Sequence, residues 1–226
     1  MFERLTLNLA AHRQSYRKML VPSIIYMTIY VIWWGLLEHR QVSRYTVIHM
    51  AVDDAIPFLE IFVIPYMVWF VYVVGVALFF LVMEQKRDYY RLITFLYVGM
   101  TVFLIVSTLQ PNIHELRPES FARSNLFTAL VRGFYRVDTP TNLWPSIHVY
   151  NAIGAHIAVM ESDFFRTRHL PRRLSLLTCV LIILSTVFIK QHSVFDVLTA
   201  VAMSIILYLI VYQLGEAAYE KRRAKD

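Results

Sequence analysis

Apolar runs, each about as long as a bilayer crossing, alternate along this chain with short polar segments. Predominantly apolar stretches cover Met19–Leu37, Ile56–Met83, Leu92–Leu109, Trp144–Met160, Leu174–Ile189 and Val194–Leu214, against the roughly 20 residues that a membrane helix needs. The pattern predicts an all-α, polytopic membrane protein with six transmembrane helices in a bundle. The fourth and fifth stretches are short, so their polar ends are expected slightly below the membrane surface, and the second is long enough to tilt. Between the third and fourth, Phe127, Leu130, Val131 and Phe134 recur at helical spacing. They predict a short amphipathic helix lying over the outer face. Phe2, Leu5 and Leu9 show the same spacing near the start, so residues 1–18 are expected to form a cytoplasmic interfacial segment rather than a cleaved signal. Residues 19–214 then make one membrane domain with an outer loop at 110–143, and 215–226 a basic cytoplasmic tail.

Composition agrees, since 58% of the 226 residues are hydrophobic and only 17% charged, more apolar than a soluble domain of this size requires. Cys179 is the only cysteine and falls within the fifth span, which leaves no disulfide framework and no thiolate metal cluster. Basic residues orient the bundle. One side carries Arg4, Arg13, Arg17, Lys18, Lys86, Arg87, Arg91, Arg166, Arg168, Arg172, Arg173, Lys221, Arg222, Arg223 and Lys225. The other carries Arg40, Arg44, Arg117, Arg123, Arg132, Arg136 and Lys190. The positive-inside rule puts the richer side, with both termini, in the cytoplasm. That asymmetry accounts for the net charge of +6 without nucleic acid, and the basic ends suit anionic membrane lipids.

The polar residues that could do chemistry then fall on the extracytoplasmic side. His192 and Asp196 are four apart where the sixth span begins. On a helix they share a face, so a carboxylate can hold one imidazole nitrogen while the other meets a reactant. Lys190 and Gln191 precede them. Pro145-Ser146-Ile147-His148 opens the fourth span, where proline suits a first turn and the amides after it can face an anion. Ser146 and the Ile147 amide are therefore candidate phosphate contacts and His148 a candidate proton donor. Arg117, in the outer loop, offers a planar fork for phosphate oxygens. Asp53, Asp54 and Glu60 stand at the start of the second span, Glu60 a turn or more inside it, and could pair with loop arginines. His156 reads as a buried, hydrogen-bonded core residue. A lipid-headgroup contact is the competing reading of Arg117, and a closing hydrogen bond at a helix start that of the His192–Asp196 pair.

Taken together, Gln110 through Arg117-Pro118, Pro145-Ser146-Ile147-His148, and Ser185-Thr186 followed by His192 and Asp196 resemble the three motifs of the type 2 phosphatidic acid phosphatase superfamily of membrane lipid phosphatases and phosphotransferases. The resemblance covers roughly the second half of the chain. Gln110 stands where the family has lysine, Ile147 where it has glycine, and Thr186 where it has arginine. Lys190, Arg123, Arg132 or Arg136 could supply the missing cations. The wording from Asp138 through Asn142 to His148, with Lys190-Gln191-His192, is similar to the branch of inositol-phosphoryl and phosphocholine transferases. The resemblance implies His192 as nucleophile, Asp196 as its orienting partner and His148 as general acid. Arg117, Ser146, Ile147, Lys190 and Gln110 would bind phosphate, supported by Asp54, Glu60, Ser185 and Asn142. It implies hydrolysis of a lipid phosphate monoester or pyrophosphate drawn from the bilayer through a phosphohistidine, with no cofactor. A zinc site of His148, His192 and Asp196 is the rival arrangement, which Arg117 and Lys190 disfavour by charge. Two alternatives remain: transfer of a phospho-headgroup to another lipid or to inositol, and a lipid binder or transporter without catalysis.

Overall fold

A computed structural model describes residues 13–215. Residues 1–12 and the basic tail beyond 215 lie outside the described part, and with them most of the expected interfacial segment. The fold is almost wholly helical: α1 (Arg13–Glu38), α2 (Ala51–Ala55), α3 (Val63–Val82), α4 (Lys86–Leu109), α5 (Leu126–Val137), α6 (Ile147–Glu161), α7 (His169–Phe188) and α8 (Val194–Tyr208), the last prolonged by a π turn at Leu209–Leu214. A 3₁₀ turn at Glu60–Phe62 leads into α3. Residues 13–18 belong to α1, continuous with the first span.

Five helical segments among the described residues are long and apolar enough to cross a membrane: Tyr16–Glu38, Glu60–Val82, Lys86–Leu109, His169–Phe188 and Val194–Leu214. The expected fourth span is α6, which at 15 residues measures about 22 Å and falls short of that length. It is instead the buried axis of the fold, in contact with α3, α4, α7 and α8. Glu60 opens the second crossing, whose helix starts later than the apolar run does. It therefore sits at the head of the span rather than inside it.

The axis is held by close contact with α4. The rings of Phe95 and Tyr150 stack at 4.7 Å, and the Tyr150 hydroxyl donates to the Phe95 carbonyl at 2.6 Å. Only glycine permits this approach: a Cβ on Gly99 would lie 2.1 Å from the Tyr150 ring, and one on Gly154 2.7 Å from Phe95. Outward faces are apolar, with Ile24 61%, Val71 75%, Leu177 55% and Ile206 59% exposed, a surface suited to acyl chains rather than water.

At one end the loops form a roof. The two-residue strands β1 (Thr46–Val47) and β2 (Asn112–Ile113) pair in parallel, tying the loop after α1 to the loop after α4. The expected amphipathic helix is α5, capped by Asn125, whose side chain accepts from the Thr128 amide at 2.9 Å. Its Val131 packs with Val63, Tyr66 and Ile189 beneath it.

Candidate active site

Two helix starts meet under this roof. Ser146 caps α6 by accepting from the Val149 amide at 3.3 Å. Ser193 caps α8 by accepting from the Phe195 amide at 3.1 Å, while the Asp196 carboxylate returns to the Ser193 amide at 3.0 Å. Each cap satisfies amides that a helix start leaves unpaired. Pro145 therefore precedes the cap rather than occupying the first turn. The Ser146 amide reaches the Asp196 carbonyl at 3.4 Å, which joins the two starts directly.

This junction brings His148 and His192 together. His148 Nδ1 lies 3.2 Å from His192 Nε2, and His192 Nδ1 lies 3.3 Å from Asp196 Oδ2. All three are buried, Asp196 completely. The pair expected from the sequence is present, but His192 stands just ahead of the Ser193 cap, so the Asp196 carboxylate meets it by folding back over the capping turn rather than along a shared helix face. A second arm extends from His148, whose Nε2 lies 3.0 Å from the Tyr66 hydroxyl. Tyr66 also contacts Asp138 Oδ2 at 2.9 Å. Gln191 Nε2 donates to that same carboxylate oxygen at 3.3 Å. One hydrogen-bonded chain therefore runs Asp138, Tyr66, His148, His192, Asp196, with a carboxylate at each end.

Proton counting fixes what this chain can hold. A tyrosine hydroxyl has one proton and an imidazole nitrogen either gives or accepts. If Tyr66 gives its proton to Asp138, His148 Nε2 must donate to Tyr66 and His192 Nδ1 to Asp196. The two rings then carry three protons and share one positive charge. If Asp138 is protonated, every bond in its arm reverses, His148 receives at Nε2 and donates from Nδ1, and His192 Nε2 presents a lone pair. Both arrangements contain the same number of protons. Burial raises the Asp138 carboxyl, against the pull of His192, the Tyr66 hydroxyl and Arg117, so the second arrangement is accessible.

Most of the other residues singled out in the sequence hold the scaffold. Arg117 donates to the carbonyls of Tyr135 at 3.1 Å and Asp138 at 2.6 Å, and to the Gln191 side-chain oxygen, with its guanidinium 4.2 Å over the Tyr135 ring. It steadies the Asp138 and Gln191 segments, which flank the histidines. Lys190, at φ 54°, donates to the Asp53 carbonyl at 2.7 Å, and burial lowers its ammonium while Asp53 and Asp54 oppose that. Asn142 braces the roof through Glu38 at 3.1 Å and Arg40 at 3.2 Å. Ser185 bonds within its own helix at 2.6 Å. Asp54 pairs with His49 at 2.9 Å and Glu60 with Arg123 at 3.8 Å, both at the periphery. Gln110 is exposed at the end of α4, and its carbonyl accepts from Asn112 at 3.0 Å. Arg132 lies 5.4 Å over the Phe121 ring. His156, half-buried, meets the Ser175 hydroxyl at 2.9 Å as a core residue.

Four participants escaped the sequence reading of the site. Tyr66 sits in an apolar run with other aromatics, and Asp138 and Gln191 entered only through the motif wording, with no role at the site. His114 has its Nδ1 accepting from the Leu116 amide at 3.1 Å and its Nε2 facing the Gln191 carbonyl at 3.0 Å. This pairing requires a neutral ring, and burial, with the charges of Arg117 and His192, lowers its pKa to about 3. Asp53, not Asp54, is the buried aspartate. It accepts from Ser193 Oγ at 2.6 Å, the Val194 amide at 2.8 Å and the Met50 amide at 2.8 Å. Among the described residues, no three His, Cys, Asp or Glu side chains converge as metal ligands do.

No family model, curated protein or solved structure matches this chain.

Proposed function

We propose that the protein is an integral membrane enzyme of phosphoryl transfer, a lipid phosphatase of the type 2 phosphatidic acid phosphatase kind, with its site on the extracytoplasmic side. The carrying observation is the contact of His148 Nδ1 with His192 Nε2 at 3.2 Å, with Asp196 behind the second ring. The bundle has six crossings on this reading. The short α6 completes the set, buried among its neighbours and reaching the outer surface through the loop that precedes Ser146.

In the mechanism, His192 Nε2 attacks phosphorus and the bond from phosphorus to the lipid oxygen breaks. His148 gives its Nδ1 proton to the departing alkoxide. Asp196 holds the proton on His192 Nδ1 and balances the charge that develops on that ring. Water then attacks the phosphohistidine, returns a proton to His148, and the phosphorus–nitrogen bond breaks to release phosphate. A buried neutral imidazole is a poor acid, and the Tyr66 arm removes that difficulty. As Nδ1 loses its proton, Nε2 receives one from Tyr66, which takes the Asp138 proton in turn. The rings in contact leave no room for a phosphoryl group between them, so substrate separates the pair as it binds.

The test is phosphate release from phosphatidic acid and lipid pyrophosphates by the purified protein in detergent with EDTA. His192→Ala should abolish it, and ³²P-labelled substrate should leave an acid-labile, base-stable label on the wild-type chain. Undiminished turnover in the variant would overturn the nucleophile, and strict dependence on added zinc would overturn the metal-free chemistry. Headgroup exchange with an alcohol in place of release would identify a transferase.

A further inference from the structure

A cavity of about 520 Å³ opens beside His148, walled by Tyr66, Tyr30 and Trp69 and roofed by α5. It shares Tyr30, Trp69, Phe70 and Ile147 with a larger one of about 920 Å³ that continues between α1, α3 and α4 as far as Leu20 and Leu81. The two form one cleft leading from the histidines toward the opposite end of the bundle. Its wall spans Trp69 to Leu81 on α3, twelve helical rises or about 18 Å, and is apolar over that length. Such a cleft fits a hydrocarbon chain.

Its upper part is different. Three buried side-chain atoms on this wall have no hydrogen-bond partner among the described residues: the Tyr30 hydroxyl, Trp69 Nε1 and Asn151 Oδ1. Tyr30 is 7% and Asn151 3% exposed. Leaving a buried polar group unpaired costs roughly 1–3 kcal/mol, and three beside one cavity are not needed to line a hydrocarbon channel. All three line the larger cavity, close to its junction with the smaller one beside His148. The Trp69 ring is 4.5 Å from the His148 ring, and Asn151 follows His148 by three residues on the same helix, one turn deeper along the same face. Tyr30, on α1, lines both cavities.

We infer that Tyr30, Trp69 and Asn151 form a subsite for the polar linker of the lipid substrate, the group joining its phosphate to its hydrocarbon. This rests on the phosphoryl-transfer reading for the position of the phosphate. An indole N–H only donates, so the linker supplies an acceptor, a carbonyl. The Asn151 oxygen only accepts, so the linker also supplies a hydroxyl or amide N–H, and the Tyr30 hydroxyl serves either. The substrate class is a lipid phosphate with both kinds of group within a few atoms of phosphorus, as in an N-acyl amino-alcohol phosphate or a monoacylglycerol phosphate. Diacylglycerol phosphate satisfies the acceptor side alone. Alkyl and polyprenyl phosphates satisfy neither.

The experiment measures kcat/KM for phosphate release by the full-length protein in detergent. The substrates are ceramide 1-phosphate, monoacylglycerol phosphate, diacylglycerol phosphate and dodecyl phosphate. The first two should lead dodecyl phosphate by tenfold or more. Trp69→Phe, Tyr30→Phe and Asn151→Leu should each reduce that ratio by about three- to tenfold, the effect of one hydrogen bond. Using the ratio cancels any common loss of turnover or folding. Dodecyl phosphate equal to the others, or ratios unmoved in all three variants, would overturn the subsite. If no lipid releases phosphate, the catalytic reading fails instead. The same ranking is then read from the thermal stabilisation each lipid gives the wild type and variants, and a flat ranking there also overturns it.

Discussion

Replacing Asp53 by asparagine removes one charge and almost no volume from the point where the loop before α3 grips the start of α8. The carboxylate accepts three hydrogen bonds, from Ser193 Oγ and the Met50 amide on one oxygen and from the Val194 amide on the other. An asparagine has one oxygen. If that oxygen serves Ser193 and Met50, the new NH₂ confronts the Val194 N–H, and in the opposite orientation two bonds are lost. At least one bond to a charged group goes, worth about 1.5–3 kcal/mol, with a donor set against a donor besides. At about 2–4 °C per kcal/mol for a chain of this size, Asp53→Asn should lower Tm by about 3–12 °C in detergent, followed by intrinsic fluorescence. Asp54→Asn is the control: its carboxylate is 70% exposed and pairs only with His49, so its Tm should move by less than about 2 °C. Phosphate release should fall in the first variant alone, because Ser193 and Val194 position His192. Equal Tm values for the two variants would refute the argument.

Tyr66→Phe cuts the arm between His148 and Asp138, and kcat should drop by about 10² or more with the optimum displaced to lower pH, where His148 must be protonated from solvent; Asp138→Asn should reproduce that displacement, and a uniform loss at every pH would refute the relay. His114 is neutral in the folded protein down to about pH 3, whereas an unfolded histidine binds its proton near pH 6.5. The unfolded state therefore takes up more protons as pH falls between these values, and stability declines by up to about 1.4 kcal/mol per unit. His114→Gln can keep both hydrogen bonds without titrating, so its Tm should fall less steeply than the wild type's between pH 6 and pH 4. Gly99→Ala should destabilise by about 1–3 kcal/mol or prevent folding, since its methyl would meet the Tyr150 ring; an unchanged Tm would show that α4 and α6 are not held at this distance.

The parts of the site carried by local spacing were legible in the chain. His192 and Asp196 were readable as a pair from their separation, although His192 lies just ahead of the Ser193 cap and meets Asp196 through the capping turn rather than along a helix face, and the amphipathic α5 followed from the spacing of Phe127, Leu130, Val131 and Phe134. Whatever depended on which helices touch was hidden. Tyr66 lies in a run where tyrosine, phenylalanine and tryptophan all serve packing, and only the folded approach of α6, the end of α5 and the turn before α8 gives its hydroxyl three polar neighbours, His148, Asp138 and Gln191. Arg117 was readable as a cation at the outer face, yet carbonyls of the folded loop supply its partners. Gln110 and Asp54 are near the site in sequence motif and order, but the backbone turns each outward. The fourth stretch was readable as short, and the polar caps on both sides make α6 shorter still, at 15 residues.

Asn112 gives the roof a property of its own. Its side-chain oxygen accepts from the amides of Leu143 and Trp144 at 2.7 and 3.2 Å, its backbone carbonyl accepts from the Asn142 amide at 2.8 Å, and it pairs with Thr46 in the small sheet. Two other stretches of chain thus converge on one residue, and one of them, residues 142–144, continues into the helix bearing His148. The exposed residues Ala122, Arg123 and Ser124 lie on the same outer face outside that knot. On the proposed topology, an epitope or fluorophore spliced in there would label the extracytoplasmic surface of living cells without touching the paired histidine rings, whereas the same graft beside Asn112 would pull the fourth segment loose from the first.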